Sequence, residues 1–220
     1  GGFAYGGEGM KKVIADVKAL GAEGLELITA QLKEGGSSGA RFLAAAVLEG
    51  VGDPAAVAAL ELALKTDADA LVRRMASHAM AVMHPAEALN ALDDAMRHDT
   101  DWGVRANSAY GLAKAGRAEG VEELVKFYQD PTVDAATKPA ILGGLMDVAA
   151  PSTAPIFRAL LKEKQEIGFH LMAIKALEKM KDVDSLTELR VLINDPKVDG
   201  SVKAAAKGAY NTISGQAEYK

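Results

Sequence analysis

The chain has 220 residues, a net charge of −5 and a hydrophobic content of 49%, and only 5% of its residues are aromatic. Neither half of the sequence is basic, so a broad surface that binds nucleic-acid phosphates is not expected. No apolar run reaches the roughly 18 residues that a membrane-spanning helix needs. The absence of cysteine excludes disulfides and thiolate chemistry.

Residues 1–9 are rich in glycine and include Phe3 and Tyr5. This composition predicts an N-terminal arm, which is either a flexible tail or a segment whose two aromatic side chains dock on this chain or on a partner. The first residue is not Met, which fits a mature end left by signal-peptide removal or an excised fragment. Two locations therefore stay open, the cytoplasm and an exported or periplasmic one. Residues 10–20 place apolar side chains on one side of a helix and predict an N-terminal capping helix.

From residue 21 onward the sequence repeats about every 32 residues. Apolar or small residues recur four, seven, eight and eleven positions after each of six origins, which is the spacing of one helix face. The origins are Ala40, Val72, Val104, Thr137, Phe169 and Val202. A helix-capping residue lies three positions before each origin, namely Ser37, Asp69, Asp101, Asp134, Glu166 and Asp199. A basic residue or histidine lies one position after it, namely Arg41, Arg73, Arg105, Lys138, His170 and Lys203. Since this side chain follows the cap by four residues, the two are expected to pair across one helical turn.

A second apolar stripe precedes each of these helices, so the repeating structure is a helix–turn–helix. The six repeats are predicted at residues 21–52, 53–84, 85–116, 117–149, 150–181 and 182–214. The sequence therefore predicts an all-α fold, with one continuous solenoid over residues 10–214 and a tail at 215–220. Pro139 lies inside the fourth repeat and predicts a helix that begins late, near Thr137, or one that is kinked.

The pattern Asp-x-x-Val-Arg-x-x-Ala-x-x-Ala-Leu, which residues 69–80 and 101–112 follow with small residues at the alanine positions, resembles HEAT repeats. In particular it is similar to the short bacterial, phycobilisome-lyase-like type. The resemblance implies a right-handed α-solenoid whose second helices line the concave side. It also implies an alternative function, that of an accessory subunit in a tetrapyrrole (bilin) lyase system. Nucleic-acid binding, as in HEAT-like alkylpurine glycosylases, is disfavoured by the lack of a basic half.

The sequence has few arrangements of residues that usually catalyse reactions or bind metals and cofactors. No two of the four histidines are four residues apart, so no helix presents a pair of metal ligands. Iron-binding HEAT hydroxylases use His-Glu dipeptides, which this sequence lacks. Neither a nucleophile elbow nor a phosphate-binding glycine spacing is present. The sequence therefore predicts no catalytic residue, no metal and no cofactor, and a chain that is not an enzyme.

The second helices carry a row of polar and aromatic residues that suits a protein or peptide ligand, although an ordinary solvated face fits the row equally. The candidate binding residues are Arg74, His78, Trp102, Tyr110, Lys114 and Lys179. Trp102 is interpreted either as a local core plug or as an exposed binding anchor. The predicted function is a non-enzymatic interaction scaffold, or a structural subunit of a larger assembly, that binds its partner through the solenoid surface.

Overall fold

The computed structural model describes residues 7–83, 86–162 and 166–216. Phe3, Tyr5, His84 and residues 217–220 of the predicted tail lie outside this described part. The described residues form thirteen α-helices and no strand, so the predicted all-α solenoid class is confirmed. None of these helices is long and apolar enough to cross a membrane.

The helices divide into two compact units, one up to Lys138 and one from Pro139 onward, here called unit 1 and unit 2. Unit 1 holds α1 (Glu8–Leu20), α2 (Ala22–Glu34), α3 (Ser38–Val51), α4 (Val57–Thr66), α5 (Ala70–Met83), α6 (Leu89–His98), α7 (Trp102–Lys114) and α8 (Ala118–Gln129). Helix α9 (Lys138–Val148) begins at the boundary, and unit 2 continues with α10 (Ala154–Lys162), α11 (Ile167–Met180), α12 (Leu186–Asn194) and α13 (Gly200–Ser214).

Five of the six predicted caps accept a hydrogen bond at the start of a second helix, whereas the Glu166 side chain makes no such bond. Ser37 Oγ accepts from the Ala40 amide at 3.2 Å, and Asp101 Oδ1 accepts from the Val104 amide at 3.0 Å. Each bond satisfies one of the amides that a helix start leaves without an intrahelical acceptor. Gly116, with φ +82°, lies just beyond the end of α7 in the left-handed conformation that favours glycine.

The core of each unit lies along the predicted apolar stripes. In unit 1, α2, α4 and α6 each pack against the helix that follows them, and α3, α5 and α7 pack side by side. In unit 2, α10 pairs with α11, α12 pairs with α13, and α11 packs against α13. Buried side chains from these stripes include Leu48, Leu60, Met80, Leu92, Leu112, Phe157, Leu177 and Leu189. Each large apolar side chain contributes about 1.5–3 kcal/mol when fully buried, which is much more than an exposed ion pair does.

Helix α1 covers the exposed end of this stack in unit 1 by packing against α2 and α3. A Cβ atom at Gly50 would lie 2.3 Å from Ile14 Cδ1, so glycine lets the Ile14 side chain of α1 pack directly on α3. Helix α1 therefore covers the side of α3 on which Gly50 lies. The equivalent side of α5, described below, is exposed.

The fourth repeat begins its second helix late, as Pro139 predicts. Helix α9 starts at Lys138, so the proline lies in the first turn, where its missing N–H costs no intrahelical bond. Asp134 accepts from the Thr137 amide at 2.8 Å and from the Thr137 hydroxyl at 2.7 Å just before this start. Of the two alternatives, the structure thus shows the late start.

Candidate functional site

One face of α5 is exposed along its length. Leu71, Arg74, His78 and Val82 are three or four residues apart and therefore share one side of the helix. Leu71 is 57% exposed and Val82 is 42% exposed, while Arg74 and His78 are partly exposed. Exposed apolar side chains thus flank two cationic or polar ones on a single stripe.

Helix α7 packs beside α5 and carries the corresponding residues of the next repeat. Tyr110 corresponds to His78, and Lys114 corresponds to Val82. The Lys114 ammonium nitrogen lies 6.0 Å from the centre of the Tyr110 ring, at the outer limit of a cation–π contact. We call Leu71, Arg74, His78, Val82, Tyr110 and Lys114 the α5–α7 surface.

Arg74 connects the two helices of this surface. Its Nε and Nη2 donate to the two carboxylate oxygens of Asp101 at 2.5 and 2.6 Å. Burial acts to raise the pKa of Asp101, but hydrogen bonds from Arg74 and from the Val104 amide outweigh it, and the pKa is lowered. A Cβ atom at Gly103 would lie 2.4 Å from Arg74 Nε, so this glycine makes room for the guanidinium. Arg74 therefore holds α5 to the start of α7, with its charge already compensated.

His78 lies at the edge of the surface that faces α3. Its Nε2 is 3.7 Å from Glu49 Oε2, which is too long for a direct hydrogen bond but close enough for an electrostatic contact. The imidazole is 39% exposed as a side chain. A ligand on this face could therefore reach it.

Trp102 packs against its own chain. Its ring meets the Phe127 ring edge-on, with 5.5 Å between the ring centres. The Arg105 guanidinium carbon lies 4.4 Å from the centre of the Trp102 ring and 4.7 Å from that of Phe127. This is the environment of a local plug between α7 and α8; a role for Trp102 as a binding anchor stays a prediction.

Lys179 belongs to unit 2 and is not counted in the α5–α7 surface. Its Nζ donates to the backbone carbonyl of Asp147 and lies 3.3 Å from Asp147 Oδ1. The sequence grouped it with the unit 1 residues because it occupies the same position in its repeat as Lys114 does.

Sequence reasoning did not include Leu71 and Val82 among the candidate binding residues. Their spacing from Arg74 and His78 is visible in the sequence, but their exposure depends on which side of α5 its neighbours cover. Among the described residues, no three His, Asp or Glu side chains converge as a metal site would require.

Comparisons with known proteins agree with the architecture. Residues 25–113, which include α5 and α7, match the family model described as HEAT repeats. This part of the chain is therefore composed of HEAT repeats, and the chain is a helical-repeat scaffold. The more specific phycobilisome-lyase-like type stays a prediction. No curated protein significantly matches the sequence.

Solved structures that resemble the chain include human deoxyhypusine hydroxylase in complex with glycerol. That protein is 16% identical, with a TM-score of 0.45, and the similarity covers 94% of this chain and 79% of that chain. The prediction that the chain is not an enzyme is wrong as stated, because this structural neighbour is an enzyme. A similarity of this size assigns no activity to the present chain.

Proposed function

We propose that the α5–α7 surface binds a protein or peptide partner. The observation that carries this proposal is the exposed stripe of α5, on which Leu71 and Val82 flank Arg74 and His78. The exposed part of an apolar side chain gains about 25 cal/mol per Å² when a partner covers it. Their alignment with polar groups on one helix side matches the mixed composition of protein interfaces.

The adjacent α7 supplies the side chain with the properties of an interface anchor. Tyrosine offers a large apolar ring with few rotatable bonds and a hydroxyl group, and it is enriched among residues whose truncation weakens binding most. Tyr110 is partly buried, so its ring is already held by the scaffold. Partial ordering lowers the entropy that binding has to overcome.

The side chains of the α5–α7 surface indicate which residues a bound partner segment would carry. Apolar side chains would cover Leu71 and Val82, and carbonyl or carboxylate oxygens would accept from His78 and Lys114. Arg74 would support the surface through its bond to Asp101 rather than supply an uncompensated charge. An extended or helical peptide with apolar and acidic residues has these properties, whether it belongs to one partner or to a larger assembly.

The proposal is tested by Tyr110→Ala, with Leu62→Ala as the matched control. Leu62 is 45% exposed but lies on α4, a first helix of its repeat and outside the α5–α7 surface. Wild-type and variant chains would be used to capture proteins from the source organism, and the recovered partner would be titrated calorimetrically.

We expect Tyr110→Ala to weaken binding by about thirtyfold, the effect of a roughly 2 kcal/mol hot spot, with unchanged helicity by circular dichroism. Leu62→Ala is expected to bind as the wild type does. Equal affinities for wild type and Tyr110→Ala would refute the proposed surface.

A further inference from the structure

Two arginines of unit 1 occupy the same place in successive repeats. Arg41 Nε and Nη2 donate to Asp67 at 2.6 and 3.0 Å, and its Nη1 donates to the Gly35 carbonyl at 3.0 Å. Arg73 makes the equivalent pair of bonds to Asp99 and donates to the Asp67 carbonyl at 3.1 Å. Each guanidinium thus joins the loop before its own helix to a carboxylate of the next repeat.

In unit 2 the position equivalent to Arg41 and Arg73 holds His170. Asp195 follows the first helix of the next repeat, as Asp67 and Asp99 do, but it lies one residue nearer in sequence. The imidazole is shorter than an arginine side chain and lacks its forked donors. Asp195 Oδ1 accepts from the Lys197 amide at 2.8 Å. Within the described ranges no cationic side chain is hydrogen-bonded to Asp195. Asp195 therefore lacks the guanidinium partner that Asp67 and Asp99 have in unit 1.

A cavity of about 860 Å³ has both His170 and Asp195 among its lining residues. Its lining includes Leu161, Ile167, His170, Glu188, Asp195 and Val202. This volume falls within the roughly 300–1,000 Å³ of typical ligand pockets. The lining also contains a third carboxylate, Asp199, and two cations, Lys162 and Lys197. The apolar members could contact the aliphatic stem of a side chain, and the carboxylates of Glu188 and Asp195 could accept its polar end.

The cavity also contains polar atoms that lack partners. Glu188 Oε1 is 2.9 Å from the Lys162 ammonium, whereas Glu188 Oε2 is buried without a hydrogen bond in the described part of the chain. His170 Nε2 is likewise buried and, among those same residues, unpartnered. Such atoms are unfavourable until they gain a hydrogen-bond partner. Because neither atom is accessible to water, a side chain has to shift before a ligand can bond to it.

The charge of Glu188 is maintained despite its burial. Burial acts to raise the pKa of this carboxyl, but the hydrogen bond from Lys162 and the nearby Arg158 charge outweigh it, and the pKa lies below its usual range. The corresponding positions in the second and third repeats are Ala59 and Ala91, whereas the fourth repeat also carries an acid there, Glu123.

From these contacts we propose that the unit 2 cavity binds an arginine side chain presented by a partner protein. The guanidinium takes the place that Arg41 and Arg73 occupy in unit 1 and donates to Asp195 and Glu188. Its aliphatic stem lies against Leu161 and Val202. This site is separate from the α5–α7 surface and does not depend on it.

The test uses the full chain and the probe N-acetyl-arginine amide, followed by amide chemical shifts in NMR. N-acetyl-citrulline amide, which has nearly the same shape but no charge, is the matched control. The arginine probe is expected to shift resonances around the cavity and to bind at least about tenfold more tightly than the citrulline probe.

Two substitutions locate the site. His170→Arg is expected to fill the cavity with the chain's own guanidinium, abolish probe binding and raise the urea midpoint. His170→Gln leaves the cavity open and is expected to retain binding. Glu188→Gln keeps the shape but removes a charge, and is expected to weaken binding about tenfold.

The proposal is overturned if the arginine probe shows no saturable binding, if citrulline binds as tightly, or if a folded His170→Arg chain binds the probe unchanged. If circular dichroism shows that His170→Arg does not fold, Glu188→Gln provides the test. An unchanged affinity of that variant for the arginine probe would overturn the proposed site. Tyr110→Ala is expected to have no effect on this probe, so the two proposals fail independently.

Discussion

Arg73 on α5 binds Asp99, twenty-six residues later, through two parallel hydrogen bonds, Nε to Oδ2 at 2.9 Å and Nη2 to Oδ1 at 3.0 Å. Asp99 also accepts from the Asp101 amide at 2.8 Å. The arginine of one repeat therefore orders the loop that begins the second helix of the next repeat. Arg41 and Asp67 form the same arrangement one repeat earlier.

Arg73→Met is expected to destabilise the chain by about 3 kcal/mol, because it leaves a largely buried carboxylate without its cation. The side chains of Arg73 and Asp99 are only 14% and 9% exposed. Arg97→Met is the matched control, since Arg97 pairs with Asp93 on one exposed helix face, at 52% and 42%. Its expected cost is about 0.5 kcal/mol. Urea unfolding measures both, and equal costs would show that the contact between repeats contributes no more than a surface pair.

The Arg41–Asp67 pair makes stability depend on pH in the acid range. The hydrogen bond from Arg41 is the main cause that lowers the pKa of Asp67 in the folded chain, below an unfolded value of about 3.9. The stabilisation is therefore complete above the unfolded pKa and is lost as the pH falls through the folded one.

Asp67→Asn is accordingly expected to lower the urea midpoint equally at pH 7 and pH 5. At about pH 3 and below, the difference from wild type is expected to shrink, since the wild-type carboxyl becomes protonated as well. A difference that stays constant down to that pH would contradict the assignment of the stabilisation to the ionised pair.

Ser108 is the one member of the repeated stripe whose hydroxyl is buried and lacks a hydrogen bond among the described residues. All five other repeats carry a buried alanine or isoleucine at the matching stripe position, such as Ala76 and Ile141. Ser108→Ala is therefore expected to stabilise the chain by about 1 kcal/mol.

Ser77→Ala is the control for this substitution. The Ser77 hydroxyl is equally buried but donates to the Arg74 carbonyl at 2.9 Å, so its removal is expected to cost about 1 kcal/mol. Thermal and urea unfolding measure both variants. A loss of stability in Ser108→Ala would mean that its hydroxyl is satisfied in solution.

Gly120 sets the distance between α7 and α8. A Cβ atom at this position would lie 2.5 Å from both the Ala109 carbonyl oxygen and the Ala113 nitrogen, and neither backbone atom can move aside easily. Gly120→Ala is expected to cost about 1–3 kcal/mol, as other overpacking substitutions do. Gly143→Ala, on α9 with no atom within 4 Å of its Cβ, is expected to gain about 0.5–1 kcal/mol from helix propensity. Urea unfolding distinguishes them, and a stabilising Gly120→Ala would contradict the close approach.

The helices could be predicted from the sequence because each repeat carries its own start and its own apolar stripe. Asp101 begins α7 and Gly116 follows its end, both as their residue types indicate. The charge pairing could not be predicted, and the expected pair within one turn was wrong for Arg73. Its partner Asp99 is distant in sequence, and only the stacking of repeats brings the two together.

The candidate site was harder to predict for a related reason. Arg74 and His78 were chosen from their positions in the repeat, but the bond from Arg74 to Asp101 depends on the space left by Gly103 in the next repeat. Exposure of Leu71 depends on how neighbouring helices cover α5. A repeat determines which residues are equivalent, whereas contacts between repeats determine which of them can meet a partner.

Photo-cross-linking from position 110 tests the proposed binding surface most directly. A photoreactive phenylalanine analogue would replace Tyr110 in one sample and Leu62, exposed on α4, in a control sample, and each would be irradiated in extracts of the source organism. A specific protein adduct from position 110, absent at position 62 and diminished by His78→Ala, is the expected result. No adduct from position 110, or the same adducts from both positions, would contradict partner binding on the α5–α7 surface.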